Sequence, residues 1–264
     1  MTVFENAKQV GGIMTDKEED IDKIAKFFTM LNTIIADRKK ILASSNFRDY
    51  VEHGLGKLPA IVIVIDNYAG FREKTDEKFE DIIKRVAKEG ISYGIYLVVT
   101  AASFANAELP MRLADNFRTT ISLEMSDIYQ YSDVMRVVRT PVYPESAVAG
   151  RGLVHFAGKI IEFQTAIACK GEGSFERNSN IKEKIKAINK IDSGIGARKV
   201  PVIPENPTWE DYIKEESYKL LLDNPRTIAT GYDAENASYS FIEVDLEKAI
   251  SFWASSNYVN KVFE

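Results

Sequence analysis

A run of five β-branched residues constrains the fold of this 264-residue chain more than any other feature. Residues 61 to 65 read Ile-Val-Ile-Val-Ile and lack the polar alternation of a half-exposed strand. Such a run is typical of a strand buried on both faces, as in a parallel sheet that helices cover. Asp66 follows directly. It is therefore expected at the carboxyl end of the strand, where α/β proteins place their chemistry.

The rest of the first 170 residues alternates between helical and strand-like patterns. Helical spacing of apolar residues predicts long helices over 15–47 and 74–90 and shorter ones over 110–117 and 126–136. Further strands are predicted over 94–100 and 118–125, with a hairpin over 151–168 that turns at 157–159. This alternation argues for an α/β fold with a largely parallel sheet and flanking helices.

A buried aliphatic strand that ends in aspartate is typical of the Walker B motif of nucleotide-binding motors. The carboxylate there orients the water shell of a Mg²⁺ ion beside a bound triphosphate. The signal is weak when it stands alone, because an aspartate after a strand is often only the start of a turn. Active motors mostly follow the aspartate with a glutamate that polarises the attacking water, whereas this chain has Asn67. Since an amide cannot act as a general base, Asn67 predicts impaired hydrolysis.

Several stretches that occur in a fixed order indicate a family far more specifically than the Asp66 strand alone does. Together they resemble the FtsK/SpoIIIE family of hexameric ATPases, most closely the tandem ATPase modules of the type VII secretion motors of the EssC/EccC group. The resemblance covers roughly residues 8 to 170. The stretches that carry it are VGGIMTDKEEDIDKIAKFFTMLNTIIADRKKIL, KLPAIVIVIDNYAGF, RVAKEGISYGIYLVVTAAS, NFRTTISLEMSDIYQYSDVM, AGRGLVHF and EFQTAI.

The resemblance implies a RecA-like P-loop NTPase fold, packing with neighbouring modules in a ring or in tandem, and ATP-linked movement of DNA or of protein substrates. It implies ATP and Mg²⁺ as cofactors of the intact parent module. By the same resemblance, Asp66 would bind the nucleotide and hold Mg²⁺ through water. Thr100 would be a phosphate sensor, and Arg72 or Arg139 would be an arginine finger. Solvated surface arginines remain the alternative for both arginines.

The sequence departs from the family at three points. No G-x-x-x-x-G-K-[ST] phosphate loop precedes Asp66, so the fold is expected to be incomplete and the chain alone is expected to hold no cofactor. Asn67 replaces the catalytic glutamate. The T-Q-R sensor of many relatives is replaced by Thr-Ala-Ala-Ser at 100–103, which leaves only the hydroxyl of Thr100 to sense phosphate.

A polar, Gly/Ser-rich composition after residue 169 and the resemblance to tandem ATPase modules together suggest three parts. Residues 1–172 are expected to form a partial ATPase module, 173–206 a linker with a helix, and 207–264 the start of a following, degenerate module. Residues 254–261 keep the length of a phosphate loop and lack both of its glycines. Side chains at those positions would block the close backbone approach that a phosphate needs.

Charge and composition narrow the functional classes. A net charge of −5 disfavours nucleic acid as the main partner. The single cysteine, Cys169, indicates a reducing compartment, and no apolar run reaches the roughly 18 residues that span a membrane. We expect a soluble part, on the cytoplasmic face, of a membrane-anchored bacterial protein. Its partners would be neighbouring modules and secreted proteins. A non-hydrolysing docking or regulatory module and a DNA translocase are the alternatives.

Overall fold

The computed structural model of the chain describes residues 2–194, 196–201, 227–233 and 238–243. Two classes of element alternate through the first 191 residues. The helices are α1 (Glu19–Leu42), α2 (Phe47–Glu52), α3 (Tyr68–Lys74), α4 (Glu80–Glu89), α5 (Met111–Ala114), α6 (Tyr129–Met135) and α7 (Ser174–Ile191). The strands are β1 (Ile61–Ile65), β2 (Ile95–Val99), β3 (Ile121–Leu123), β4 (Arg151–Phe156), β5 (Lys159–Gln164), β6 (Thr227–Asp233) and β7 (Ser238–Glu243).

Strands β1 and β2 form the parallel pair that the sequence predicts. Their register runs from Ile61 opposite Ile95 to Ile65 opposite Val99. One face of the pair packs against helices α1 and α4 and makes the main core of the described residues. The core residues from these elements are Ile24, Phe28, Leu31, Ile35, Ile63, Ile65, Ile83, Val86 and Ile95. Four of them, Ile24, Phe28, Leu31 and Ile35, recur at the helical spacing of apolar residues from which this helix is predicted.

The expectation that β1 is buried on both faces is wrong. Val62 and Val64 are 61% and 47% exposed, and their neighbours Tyr96 and Val98 on β2 are exposed as well. The helices pack on one side of the pair, so alternate side chains of β1 point away from the core. A continuous run of β-branched residues predicts a strand, but it does not predict on which faces of the strand helices pack.

The expectation of a largely parallel sheet is also wrong for the described residues. Strand β3 pairs antiparallel with β4, and β4 pairs antiparallel with β5. The predicted β4–β5 hairpin is confirmed. Two adjacent residues with positive φ, Ala157 and Gly158, make its tight turn. Helix α6 packs on this second sheet. The result is a mixed α/β fold with small parallel and antiparallel sheets.

The helix predicted over 74–90 begins only at Glu80, as α4. A turn precedes it, and a separate helix that was not predicted, α3, lies before that turn. Helix α3 ends at Lys74, and the hydroxyl of Thr75 donates a hydrogen bond to the carbonyl of Phe71 at 2.9 Å. Asp76 and Glu77 then have φ angles of +48° and +58°, which no right-handed helix can contain. A turn therefore separates α3 from α4, which begins at Glu80.

The domain boundaries at 172 and 206 stay a prediction. Helix α7 lies within the segment expected to contain a linker helix and begins earlier than its charged part. Strands β6 and β7 form an antiparallel hairpin and are the described part of the region 207–264. Residues 254–261 lie outside the described residues.

Candidate functional site

The carboxyl ends of β1 and β2 bring Asp66 and Thr100 together. The Oγ1 of Thr100 donates a hydrogen bond to Oδ1 of Asp66 at 2.5 Å and accepts one from the backbone N–H of Asn67 at 2.9 Å. Backbone bonds continue the ladder on both sides: Thr100 N–H donates to the carbonyl of Ile65, and Tyr68 N–H donates to the carbonyl of Thr100, each at 3.0 Å. The two strand tips are thus tied into one closed turn.

Asn67 is held in a left-handed conformation at the start of α3. Its φ and ψ are 56° and 74°, and its side-chain oxygen accepts a hydrogen bond from Gly70 N–H at 3.3 Å. Asparagine tolerates this backbone region better than most residues and is a preferred helix N-cap. The amide therefore has a structural use as a cap. This use accounts for an asparagine where the resemblance implies a glutamate.

The hydroxyl of Thr100 has one proton, and that proton is donated to Asp66. A contact from this hydroxyl to a phosphate oxygen would require the same proton. The sensor function of Thr100 stays a prediction, and it requires the Thr100–Asp66 hydrogen bond to break first.

Asp66 is a single exposed carboxylate. Among the described residues, no group of three or more His, Cys, Asp or Glu is arranged to hold a metal ion. One carboxylate suits a water-mediated contact to a Mg²⁺ ion that phosphates already hold. The described residues alone do not fit a complete Mg–ATP site. Asp66 would contribute to one only beside phosphate-binding groups from elsewhere.

Arg72 is engaged inside its own chain. Its side chain donates hydrogen bonds to the carboxylates of Glu77 and Glu80, each at 2.6 Å. Burial acts to raise the pKa of Glu80, but hydrogen bonds from Lys84 and Arg72 outweigh it and the pKa is lowered. Arg139 is exposed, in the turn after α6. The arginine-finger function of either residue stays a prediction.

Tyr68 is a residue next to the site that the sequence did not single out. Its side chain is fully buried beneath α3, and its ring packs against that of Phe71. Burial raises the pKa of Tyr68 to about 12, with a further contribution from the charge of Glu80. The buried ring fixes α3, and hence Asn67 and the turn after β1, to the core.

The fold and this turn define the chain as an α/β module with a Walker B-like strand tip. Its structure resembles EssC ATPases 2 and 3 from Geobacillus thermodenitrificans, with a TM-score of 0.68 and 21% identity over 92% of this chain and 45% of that one. It also resembles the cytoplasmic domain of the Thermomonospora curvata type VII secretion ATPase EccC, with a TM-score of 0.67, 15% identity, and coverage of 92% and 30%. EccC ATPases 2 and 3 of the same organism, in complex with a signal sequence peptide, give a TM-score of 0.61, 20% identity, and coverage of 92% and 42%.

The sequences agree with the structures. The type VII secretion system protein EssC of Staphylococcus aureus strain Mu50 is 25% identical over 234 residues, which cover 87% of this chain and 15% of that protein. The ESX secretion system protein EccC of Geobacillus thermodenitrificans is 25% identical over 190 residues, covering 70% and 12%. No family model matches. The chain is a distant homologue of the FtsK/SpoIIIE-like ATPase modules of these type VII secretion proteins.

The chain spans about 15% of the length of the EssC proteins that it matches. In the part of the chain that the structure describes, no helix has the length and apolar character needed to cross a membrane.

Proposed function

We propose that the chain acts as one module of a type VII secretion motor that couples ATP binding and hydrolysis to protein export, and that this module does not hydrolyse ATP itself. The observation that carries the proposal is the use of Asn67. Its amide caps α3 and its backbone N–H is bonded to Thr100, so the position after Asp66 provides no general base.

One further feature supports a non-hydrolysing module. The proton of the Thr100 hydroxyl is already donated to Asp66. The same feature and the cap function of Asn67 favour a second candidate, a docking or regulatory module that binds neighbouring modules without turnover. In both cases ATP and Mg²⁺ act elsewhere in the assembly.

The partners that we infer are secreted protein substrates and neighbouring ATPase modules. A related pair of EccC modules was solved with a signal sequence peptide, which supports a protein rather than a nucleic acid as the translocated polymer. The net charge of −5 supports the same choice. We place the module on the cytoplasmic side of the membrane by analogy with the cytoplasmic domain of EccC.

Titration calorimetry of the purified chain with Mg–ATP, together with a phosphate-release assay, tests the proposal. We expect no saturable Mg²⁺-dependent binding and no release of phosphate above buffer. Saturable binding with turnover would contradict a non-hydrolysing module.

Asn67→Glu tests whether the missing glutamate alone explains the absence of turnover. We expect no gain of hydrolysis and a loss of about 1–2 kcal/mol of stability, because glutamate is a poor residue for a left-handed cap. Asn67→Asp is the matched control, since aspartate can cap the helix and tolerates this backbone. ATP turnover by the Asn67→Glu variant would show that the site is otherwise complete.

A further inference from the structure

The segment after helix α7 lies against the first residues of the chain. The N–H of Ala197 donates a hydrogen bond to the carbonyl of Lys8 at 2.7 Å, and the N–H of Val200 donates to the carbonyl of Gly11 at 3.2 Å. Residues about 190 positions apart thus pair through their backbones, in a region where the sequence suggests a linker.

Side chains add contacts at the end of α7. Asn189 makes two of them: its Oδ1 accepts a hydrogen bond from Lys8 N–H at 3.1 Å, and its Nδ2 donates one to the carbonyl of Asn6 at 2.7 Å. The Nζ of Lys8 donates to the carbonyl of Asp192 at 2.8 Å. The Nζ of Lys199 donates to the carbonyl of Val10 at 2.6 Å. Contacts of this number hold a segment in place far better than one exposed bond does.

The segment after α7 lies so close to the first residues of the chain that position 11 requires a glycine, whereas position 12 does not. A Cβ atom on Gly11 would lie 2.7 Å from the carbonyl oxygen of Arg198. A Cβ atom on Gly12 would have a methyl group of Val200 as its nearest neighbour, at 3.4 Å, and no backbone atom among its three nearest contacts. Neither glycine has a positive φ, so an alanine at either site differs only in what its Cβ touches.

We propose that residues 189–194 and 196–201, here called the strap, are docked on residues 6–11 and fix the point from which the polypeptide beyond Pro201 leaves this module. The docked residues lead directly into Thr15, whose N–H and hydroxyl both bond Asp20 in the first turn of α1. A pull on the strap is therefore transmitted to the start of α1, the helix that covers β1. The strap makes a mechanical connection between the polypeptide that follows and the turn that carries Asp66. This inference holds whether or not the module binds nucleotide.

Amide hydrogen exchange on the full chain tests the strap, with Gly11→Ala compared with Gly12→Ala. In Gly11→Ala we expect the amides of Ala197 and Val200 to exchange at least about tenfold faster than in the wild type, because their acceptors are pushed away. In Gly12→Ala the rates should stay within about twofold. The amide of Thr100, which bonds Ile65, is the internal reference for intact folding in both variants. Equal protection of the strap in wild type and Gly11→Ala would overturn the proposal.

Trypsin provides an independent readout, because it cleaves after Arg198 and Lys199 inside the strap. Asn189→Ala removes two of the contacts without touching a glycine and keeps the test valid if Gly11→Ala does not fold. We expect cleavage after Arg198 and Lys199 to be several-fold faster in Asn189→Ala and unchanged in Glu183→Ala, which alters an exposed residue of the same helix. Equal cleavage of wild type and Asn189→Ala would show that the strap is not held by these contacts.

Discussion

Thr100 and Asn67 determine what Asp66 can do. One hydroxyl satisfies both the carboxylate of Asp66 and the N–H of Asn67, and one amide caps the helix that follows. The hydroxyl of Thr100 and the side-chain oxygen of Asn67 therefore both have partners within the turn. These bonds support the proposal that the module does not hydrolyse ATP.

Thr100→Val removes the hydroxyl and keeps the shape of the side chain. We expect it to cost about 0.5–1.5 kcal/mol, a modest value because water can reach the exposed groups that lose their partner. Thr100→Ser retains the hydroxyl and should stay close to wild type. Urea unfolding of the three proteins measures the difference. A Thr100→Val variant as stable as Thr100→Ser would show that the hydroxyl does not hold the turn.

Much of this site could be predicted from sequence. The apolar runs before Asp66 and Thr100 place both residues at strand ends, and parallel pairing then brings them together. The cap function of Asn67 was missed because no helix was predicted over 68–74, although asparagine is a residue type that favours helix N-caps. No sequence signal could show that the Thr100 hydroxyl donates its proton to Asp66, because this depends on atomic positions that a residue pattern does not encode.

Among the elements, α1 is fixed to the sheet by a buried arginine. Arg38 is 4% exposed. Its guanidinium donates to the carbonyls of Tyr93 and Pro59, each at 2.6 Å. These carbonyls belong to the segments that enter β2 and β1, so one side chain aligns the amino ends of both strands with the helix.

Arg38→Met tests this connection. We expect a loss of about 2–4 kcal/mol, because the buried carbonyls would lose a charged donor. Arg48→Met on α2 is the matched control and should cost less than about 0.5 kcal/mol, since Arg48 is exposed and pairs only with Glu52. Chemical denaturation measures both. A similar small cost for both variants would contradict the anchoring function.

The first turn of α1 predicts a dependence of stability on pH. Burial acts to raise the pKa of Asp20, but hydrogen bonds from Lys23 and Thr15 outweigh it and lower the pKa from 3.8 to about 2. Because the pKa of Asp20 is lower in the folded chain than in the unfolded chain, its carboxylate stabilises the fold at any pH above the unfolded-state pKa. This contribution is lost as the pH falls toward 2. The stability difference between wild type and Asp20→Asn should therefore shrink between about pH 4 and pH 2. A difference that stays constant over that range, measured by denaturation at each pH, would contradict the assignment.

Sequence patterns predict most of the helices and strands, but they do not predict which face of each element is buried. The 15–47 and 151–168 patterns identify α1 and the β4–β5 hairpin. The five-residue run of β1 could not reveal that Val62 and Val64 are exposed, because coverage depends on where distant helices pack. The break at Asp76 and Glu77 was missed because neither residue is a strong helix breaker in isolation.

For the whole molecule, fold and sequence agree on one class. The structure matches EssC and EccC modules over 92% of the chain, although identity is 15–21%. Asp66 lies at a strand tip that resembles Walker B, and the residue after it, Asn67, caps a helix. The account therefore separates membership of a secretion motor from catalysis by this module.

Export of substrate in the organism that encodes the chain, with Asp66→Asn introduced into the native protein, tests this separation most directly. Asparagine keeps the oxygen that accepts the Thr100 hydrogen bond but removes the charge that Mg²⁺ would need. An in-frame deletion of residues 1–201 is the comparison and should abolish export. We predict that Asp66→Asn leaves export at the wild-type level. Loss of export with the variant protein present at normal abundance would contradict the account, because it would make Asp66 part of a working ATP site.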